Sequence, residues 1–222
     1  MKHFFYFSCL LLLLGCPENS NTPELELSVS LDYENLITGE VGTIRDLTMS
    51  STFMYSSVGP PFMEPPASFR QTMNIAFSTD SLEYPFFQLN FYPTLTAERV
   101  KPITGQTFGQ LYTYEEAEDY VSENFGLGDQ LNTPLDFSIR FGLDYPTSSR
   151  ISKADMLNQE DALFELQESQ IYYDKHDIPH LFLKGTISCT LINDSFSPFS
   201  LQPHFHITEA RFSLAVPVDS AN

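Results

Sequence analysis

The chain has 222 residues, with 11 Lys and Arg against 29 Asp and Glu for a net charge of −18, and its aromatic content is 20 Phe and 11 Tyr with no Trp. That balance argues against nucleic acid as a partner, because affinity for it comes largely from Lys and Arg on phosphates, and against charge-driven adsorption to an anionic bilayer; the acidity reads as solubility and self-repulsion of a surface. The length suits one ordinary domain or two small ones and is enough to bury a substantial core.

The first sixteen residues read MKHFFYFSCLLLLLGC. Lys2 and His3 give a positive start, and Phe4 to Leu14 is apolar except for Ser8. A charged start, a short apolar core and a small residue at its end are the marks of a secretory signal. The run is too short to span a bilayer, which takes roughly 20 apolar residues. Its last four residues, Leu13-Leu14-Gly15-Cys16, resemble the lipobox of bacterial lipoproteins: an aliphatic residue, a small residue, Gly or Ala, then Cys. Leu14 is larger than the residue usual at its position. The resemblance implies cleavage before Cys16, a diacylglyceryl group on its sulfur and a third acyl chain, palmitate or similar, on its amine. Two or more acyl chains anchor a protein stably where one does so only marginally. The expected location is therefore the cell envelope, at the outer membrane, with the membrane as partner through lipid alone. The expected division is 1–15 signal peptide, 16–24 lipidated Cys and polar tether, and 25–222 a single β-rich domain.

Removal of residues 1–15 takes away one charged side chain, Lys2, and leaves 10 basic against 29 acidic groups, a net charge of −19. Cys9 leaves with the signal and Cys16 is consumed by lipid, so Cys189 stands alone and no intramolecular disulfide can form. The fold must be stabilised by its aromatic core.

Along the domain, Leu25, Leu27, Val29, Leu31 and Tyr33 alternate with polar residues, the period of two of a half-buried strand. Thr38-Gly39 and Val41-Gly42 read as turns, and Thr48 to Ser56 as a second strand. Gly59 to Pro66 carries four prolines and reads as a loop or an edge, with Phe62 and Met63 folded back or available for contact. Phe69–Ser78 and Phe86–Tyr92 are further strands. A helix is expected over 113–125: Thr113 and Glu116 fit a capping box, Ala117, Val121 and Phe125 share a face, and the acidic first half suits the helix dipole. Gly126 and Gly128 stop it. Leu135, Phe137, Ile139, Phe141 and Leu143 make Pro134–Asp144 the clearest strand. Ile151–Glu160 fits either a helical turn or a loop. Phe164–Tyr173 and His180–Ile192 read as a long hairpin turning at Asp174–Asp177, and Phe205–Val216 as the last strand.

The sum is an all-β fold, a sandwich or open barrel of about 8–9 mostly antiparallel strands with one short helix. Lys184–Leu191 and Ile207–Leu214 are similar to the closing strands of small all-β bacterial lipoproteins of unknown function, a likeness covering a sixth of the chain.

Chemistry-bearing motifs are sparse. The chain has no G-x-S-x-G, H-E-x-x-H, Walker A or G-x-G-x-x-G, and no cofactor is implied. Cys189 lies in an alternating strand and reads as an inert buried thiol. His204 and His206 are spaced to share one face of a strand, and His176 and His180 flank a hairpin tip with Asp174 and Asp177. Imidazoles and carboxylates of this kind ligate zinc or copper; the hairpin tip holds four possible ligands with Asp174 included, whereas His204 and His206 supply only two and nothing local supplies a third, and a polar strand face and a hairpin tip are the plainer reading. Asn193-Asp194-Ser195 matches a glycosylation sequon, and Asp80-Ser81-Leu82 and Asp219-Ser220-Ala221 resemble a bacterial O-glycosylation acceptor. Three functions follow as expectations: a non-enzymatic, lipid-anchored domain that binds or supports a protein or glycan partner; a calycin-like carrier with an aromatic cavity; and an envelope enzyme acting on glycans.

Overall fold

The computed structural model of the chain describes residues 26–57, 69–79, 84–95, 101–102, 109–110, 119, 121–144, 148–173, 179–193 and 202–217. Outside them lie the leader, Cys16 and the tether, the Pro-rich segment with Phe62 and Met63, the first part of the expected helix with Thr113, Glu116 and Ala117, the hairpin turn with His176, and both Asp-Ser motifs.

Thirteen strands are found among the described residues: β1 Ser28–Asn35, β2 Val41–Ser57, β3 Phe69–Ser78, β4 Phe86–Tyr92, β5 Thr94–Leu95, β6 Lys101–Pro102, β7 Gly109–Gln110, β8 Gly128–Asp129, β9 Asp136–Gly142, β10 Ser149–Ser152, β11 Leu163–Tyr173, β12 Pro179–Asn193 and β13 Pro203–Pro217. β6 and β7 pair with each other; the other eleven form one antiparallel sheet in the order β10-β9-β4-β3-β2-β1-β13-β12-β11-β8, with β5 beside β3. β10 also pairs with the end of β12, Ser149 opposite Asn193 and Arg150 opposite Ile192. The hydrogen-bonded path thus returns on itself through eight strands, while β11 takes the rest of the β12 edge from Pro179 to Ser188. The expected all-β architecture is present, as a barrel whose seam is shared by β10 and β11. Among the described residues, helix is found at 119 and 121–124, in a 3-10 turn at Gln130–Asn132 and in the short helix Lys153–Met156.

The stretch between the two β12 partners is bridged by a side chain. The Gln159 amide donates from Nε2 to the Thr190 carbonyl (2.9 Å) and accepts at Oε1 from the Thr190 N–H (2.9 Å). One carboxamide thereby supplies the donor and acceptor that a strand residue would present.

The alternation expected along the chain is realised. Val29, Leu31 and Tyr33 of β1, Phe137, Ile139 and Phe141 of β9, and Phe205, Ile207, Phe212, Leu214 and Val216 of β13 are buried. The residues read as helix-or-loop at Ile151–Glu160 are the end of β10 followed by the helix Lys153–Met156, started by Ser152, whose Oγ accepts from the Asp155 N–H at 3.3 Å. The expected turn at Val41-Gly42 is overturned. The reversal is complete by Gly39, which takes φ 73°, and the Asn35 side chain accepts from the N–H groups of Ile37 (3.0 Å) and Thr38 (3.2 Å). Val41 already belongs to β2. Gly42 stands there because Tyr33, its cross-strand partner, lays its ring where a side chain would go.

The interior is built from aromatic rings in two groups. In one, Phe164 of β11 packs edge-on against Phe137 of β9 at 4.6 Å between centroids and reaches Phe212 at 5.9 Å and Phe91 at 6.1 Å; Phe91 in turn meets Phe125, beyond the helix, at 5.5 Å. In the other, Phe141 meets Phe205 at 5.1 Å and Tyr33 at 5.5 Å. Edge-to-face pairs at these separations contribute beyond the area they bury. Gly185 makes room for the first group: a Cβ there would overlap the Glu165 carbonyl oxygen and lie 2.9 Å from Phe212 Cζ.

Lys153 is the one buried cation among the described residues. Its ammonium donates to the carbonyls of Thr133 (2.5 Å) and Leu135 (2.7 Å), tying the helix to the chain entering β9. Burial lowers its pKa, against the pull of Asp136 and Asp129.

Two substitutions test this packing. Gly185→Ala forces backbone or Phe212 to move and should destabilise by about 1–3 kcal/mol, the usual range for overpacking. Lys153→Met strands the buried Leu135 carbonyl and the half-buried Thr133 carbonyl and should cost about 1–3 kcal/mol as well. Urea midpoints of the variants measure both; wild-type midpoints would show that neither contact constrains the fold.

Candidate functional site

The histidines expected to share a strand face do not. In the β12–β13 ladder Leu191 faces Phe205 and Ile192 faces Pro203, so His204 is the extra residue of a bulge. A bulge sets two residues against one and interrupts the period of two. His204 therefore turns to the inner side with Phe205, its ring 4.1 Å from that of Phe205, and its Nδ1 hydrogen-bonds the Ser149 hydroxyl at 2.8 Å. His206 turns the other way and pairs its Nδ1 with the Thr190 hydroxyl at 3.1 Å. His180 stacks on Tyr172 at 5.0 Å. No group of three or more His, Cys, Asp and Glu is assembled for a metal among the described residues. Cys189 is fully buried, and burial pushes its thiol up to about 12, so it carries no thiolate.

Ser149 has no exposed surface and His204 little, and burial lowers the imidazole pKa. The neutral ring therefore belongs to the folded state. The pair joins β13 to the closing strand β10.

The outer surface of the barrel carries two contrasting polar faces. Across β3, β4 and β9 the side chains of Asn74, Asn90 and Ser138 stand in register. Asn74 donates to Asn90 Oδ1 (2.7 Å), Gln88 to the same atom (3.1 Å), Asn90 to Ser138 Oγ (3.3 Å), and Tyr92 shares a bond with that hydroxyl (3.1 Å). This ladder satisfies itself.

The second face spans β2, β1, β13, β12 and β11 and forms an open groove of about 1090 Å³. Ser28, Ser30 and Asp32 enter it from β1, Glu209, Arg211 and Ser213 from β13, Phe182, Lys184 and Thr186 from β12, and Gln167, Glu168 and Gln170 from β11; Arg45 stands at one side and Glu26 at the mouth. The Arg211 guanidinium donates to both Glu209 oxygens (3.0 and 2.9 Å), and Arg45 donates to Asp32 (3.1 Å), which also accepts from Thr43 Oγ1 (2.6 Å). The Glu209 hydrogen bonds, then its charge, raise the Arg211 pKa, with Asp32 adding to the effect. A β2 bulge at Asp46, with φ 54°, is held by Ser30, whose Oγ accepts from the Asp46 N–H (3.0 Å) and donates to its carboxylate (3.1 Å). By contrast, the side chains of Ser28, Ser213, Thr186, Gln167 and Lys184 make no hydrogen bond or ion pair with the described residues.

Sequence reasoning missed this groove. Its residues are the solvent-side partners of alternating strands, separated by up to 187 positions from Glu26 to Ser213, and only the strand order β2-β1-β13-β12-β11 brings them together. The available signal was charge: three of the chain's 11 basic residues, Arg45, Lys184 and Arg211, meet here.

The His204–Ser149 pair predicts a pH dependence. A histidine whose folded pKa lies below the unfolded value, about 6.5, contributes stability in full above that pH and loses it as pH falls toward the folded pKa. Urea midpoints should therefore decline below about pH 6.5, and His204→Gln, which retains a hydrogen-bonding group without the titration, should show a shallower decline. Parallel profiles would refute the assignment.

No protein-family model, no curated protein and no solved structure matches this chain.

Proposed function

We propose that the chain is a lipid-anchored cell-envelope lipoprotein that works by binding and not by catalysis, and that its binding surface is the outer groove of β2, β1, β13, β12 and β11. The observation that carries this reading is the position of the groove. Glu26 and Ser28, the latter the first residue of β1, are among its lining residues and follow closely on the expected tether at 16–24. Nine residues reach at most about 30 Å when extended, so a lipid on Cys16 keeps the groove beside the membrane surface. The groove's unpartnered hydroxyls, amides and ammonium supply the polar contacts that such a surface needs.

The carrier reading has less support. The aromatic rings that would line a ligand cavity, Phe91, Phe137, Phe164 and Phe212, are in contact with one another.

The anchor is tested by expressing the full chain in a bacterium with a labelled fatty acid. The wild type should carry label and fractionate with membranes, and Cys16→Ser should lose both. Retention of Cys16→Ser in membranes, with no label on the wild type, would overturn the proposal.

A further inference from the structure

We infer that the outer groove binds a neutral oligosaccharide. This rests on the reading of the groove as the binding surface and names the ligand it takes.

The chemistry of the lining is the first argument. Ser28, Ser213, Thr186 and Gln167 each offer both donor and acceptor atoms and have no side-chain partner among the described residues. Sugar hydroxyls have the same dual character, and a row of them matches a row of such side chains without any group left unpaired. Asp32 is held at Oδ1 by Thr43 and Arg45, which fixes its carboxylate for a further acceptor contact. Phe182, opposite Gln170 and Ala215, gives the groove an apolar floor.

Charge is the second argument. The groove holds four acidic groups, Glu26, Asp32, Glu168 and Glu209, and three basic ones, for a local balance of −1 on a chain of −18. An anionic ligand is repelled by the chain as a whole. A cationic ligand finds less attraction here than elsewhere, because Arg45, Lys184 and Arg211 stand in its way. A neutral ligand is indifferent to both.

Size is the third. Pockets for small molecules run to roughly 1,000 Å³, and this groove reaches about 1090 Å³ while lying open across five strands. That shape fits several linked sugars lying along the sheet.

The test uses the full chain in detergent. Titration calorimetry is run with neutral tetrasaccharides built from glucose, mannose and N-acetylglucosamine, with an anionic tetragalacturonate and with cationic tetralysine. At least one neutral tetrasaccharide should bind saturably, with affinity unchanged between about 50 and 500 mM salt, because no ion pair with the ligand is there to be screened. The double variant Gln167→Ala/Thr186→Ala should weaken it at least tenfold, while Glu160→Ala, outside the groove, should not; both groove side chains face outward, and urea midpoints check that the variants fold. Binding of a charged probe alone, lost in the double variant, overturns the neutral-sugar assignment and leaves the groove as a binding surface. Neutral binding that the double variant keeps overturns the groove itself. Binding of no probe overturns the oligosaccharide assignment.

Discussion

The contact between Phe164 and Phe137 holds the barrel across its middle. β9 and β11 are not hydrogen-bonded neighbours: β11 lies at the seam on β12, and β9 stands behind β10, the other seam strand. Their rings meet inside at 4.6 Å and gather Phe91 and Phe212 from two further strands. With no disulfide available to the domain, burial of such rings is the main favourable term. Close packing follows, since a core at native density tolerates neither a gap nor an added methyl. Gly185 is the visible mark of that constraint: the ring of Phe212 occupies what would have been a side chain's volume.

Packed rings fill the interior among the described residues, and the exterior is not uniform. The Asn74–Asn90–Ser138 ladder and the groove are both polar sheet faces, the first built from amides and hydroxyls and the second adding charged groups. They differ in saturation. In the ladder each amide finds another amide or a hydroxyl, and Asn90 is buried despite its polarity. In the groove Arg211 pairs with Glu209 and Arg45 with Asp32, whereas Ser28, Ser213, Thr186, Gln167 and Lys184 have no side-chain partner among the described residues.

The sequence was most legible where one face of a strand is apolar. β3 and β4 begin and end where alternation placed them, and β9, β11, β12 and β13 do so within two residues. It was least legible where tertiary neighbours override local signals. Gly42 looked like a turn residue but accommodates a ring that sits nine positions away in sequence. His204 and His206 looked like a pair, but a single extra residue in β13 turned one inward; bulges are set by the register of two ladders at once, which a single strand does not reveal. The barrel closure was hidden for the same reason, since Ser149 and Asn193 meet only after every other strand is placed. The groove is a product of strand order and has no local pattern at all.

The Gln159 bridge bears on how the molecule behaves in company. A strand whose backbone groups lack partners is a template for pairing with another chain. β12 changes neighbours between Ser188 and Ile192, and Thr190 would present such a site where the barrel wall passes from one partner to the other. A single carboxamide occupies both of its bonding groups and removes the template. Wherever copies of the chain meet, that small closure is a safeguard against joining edge to edge.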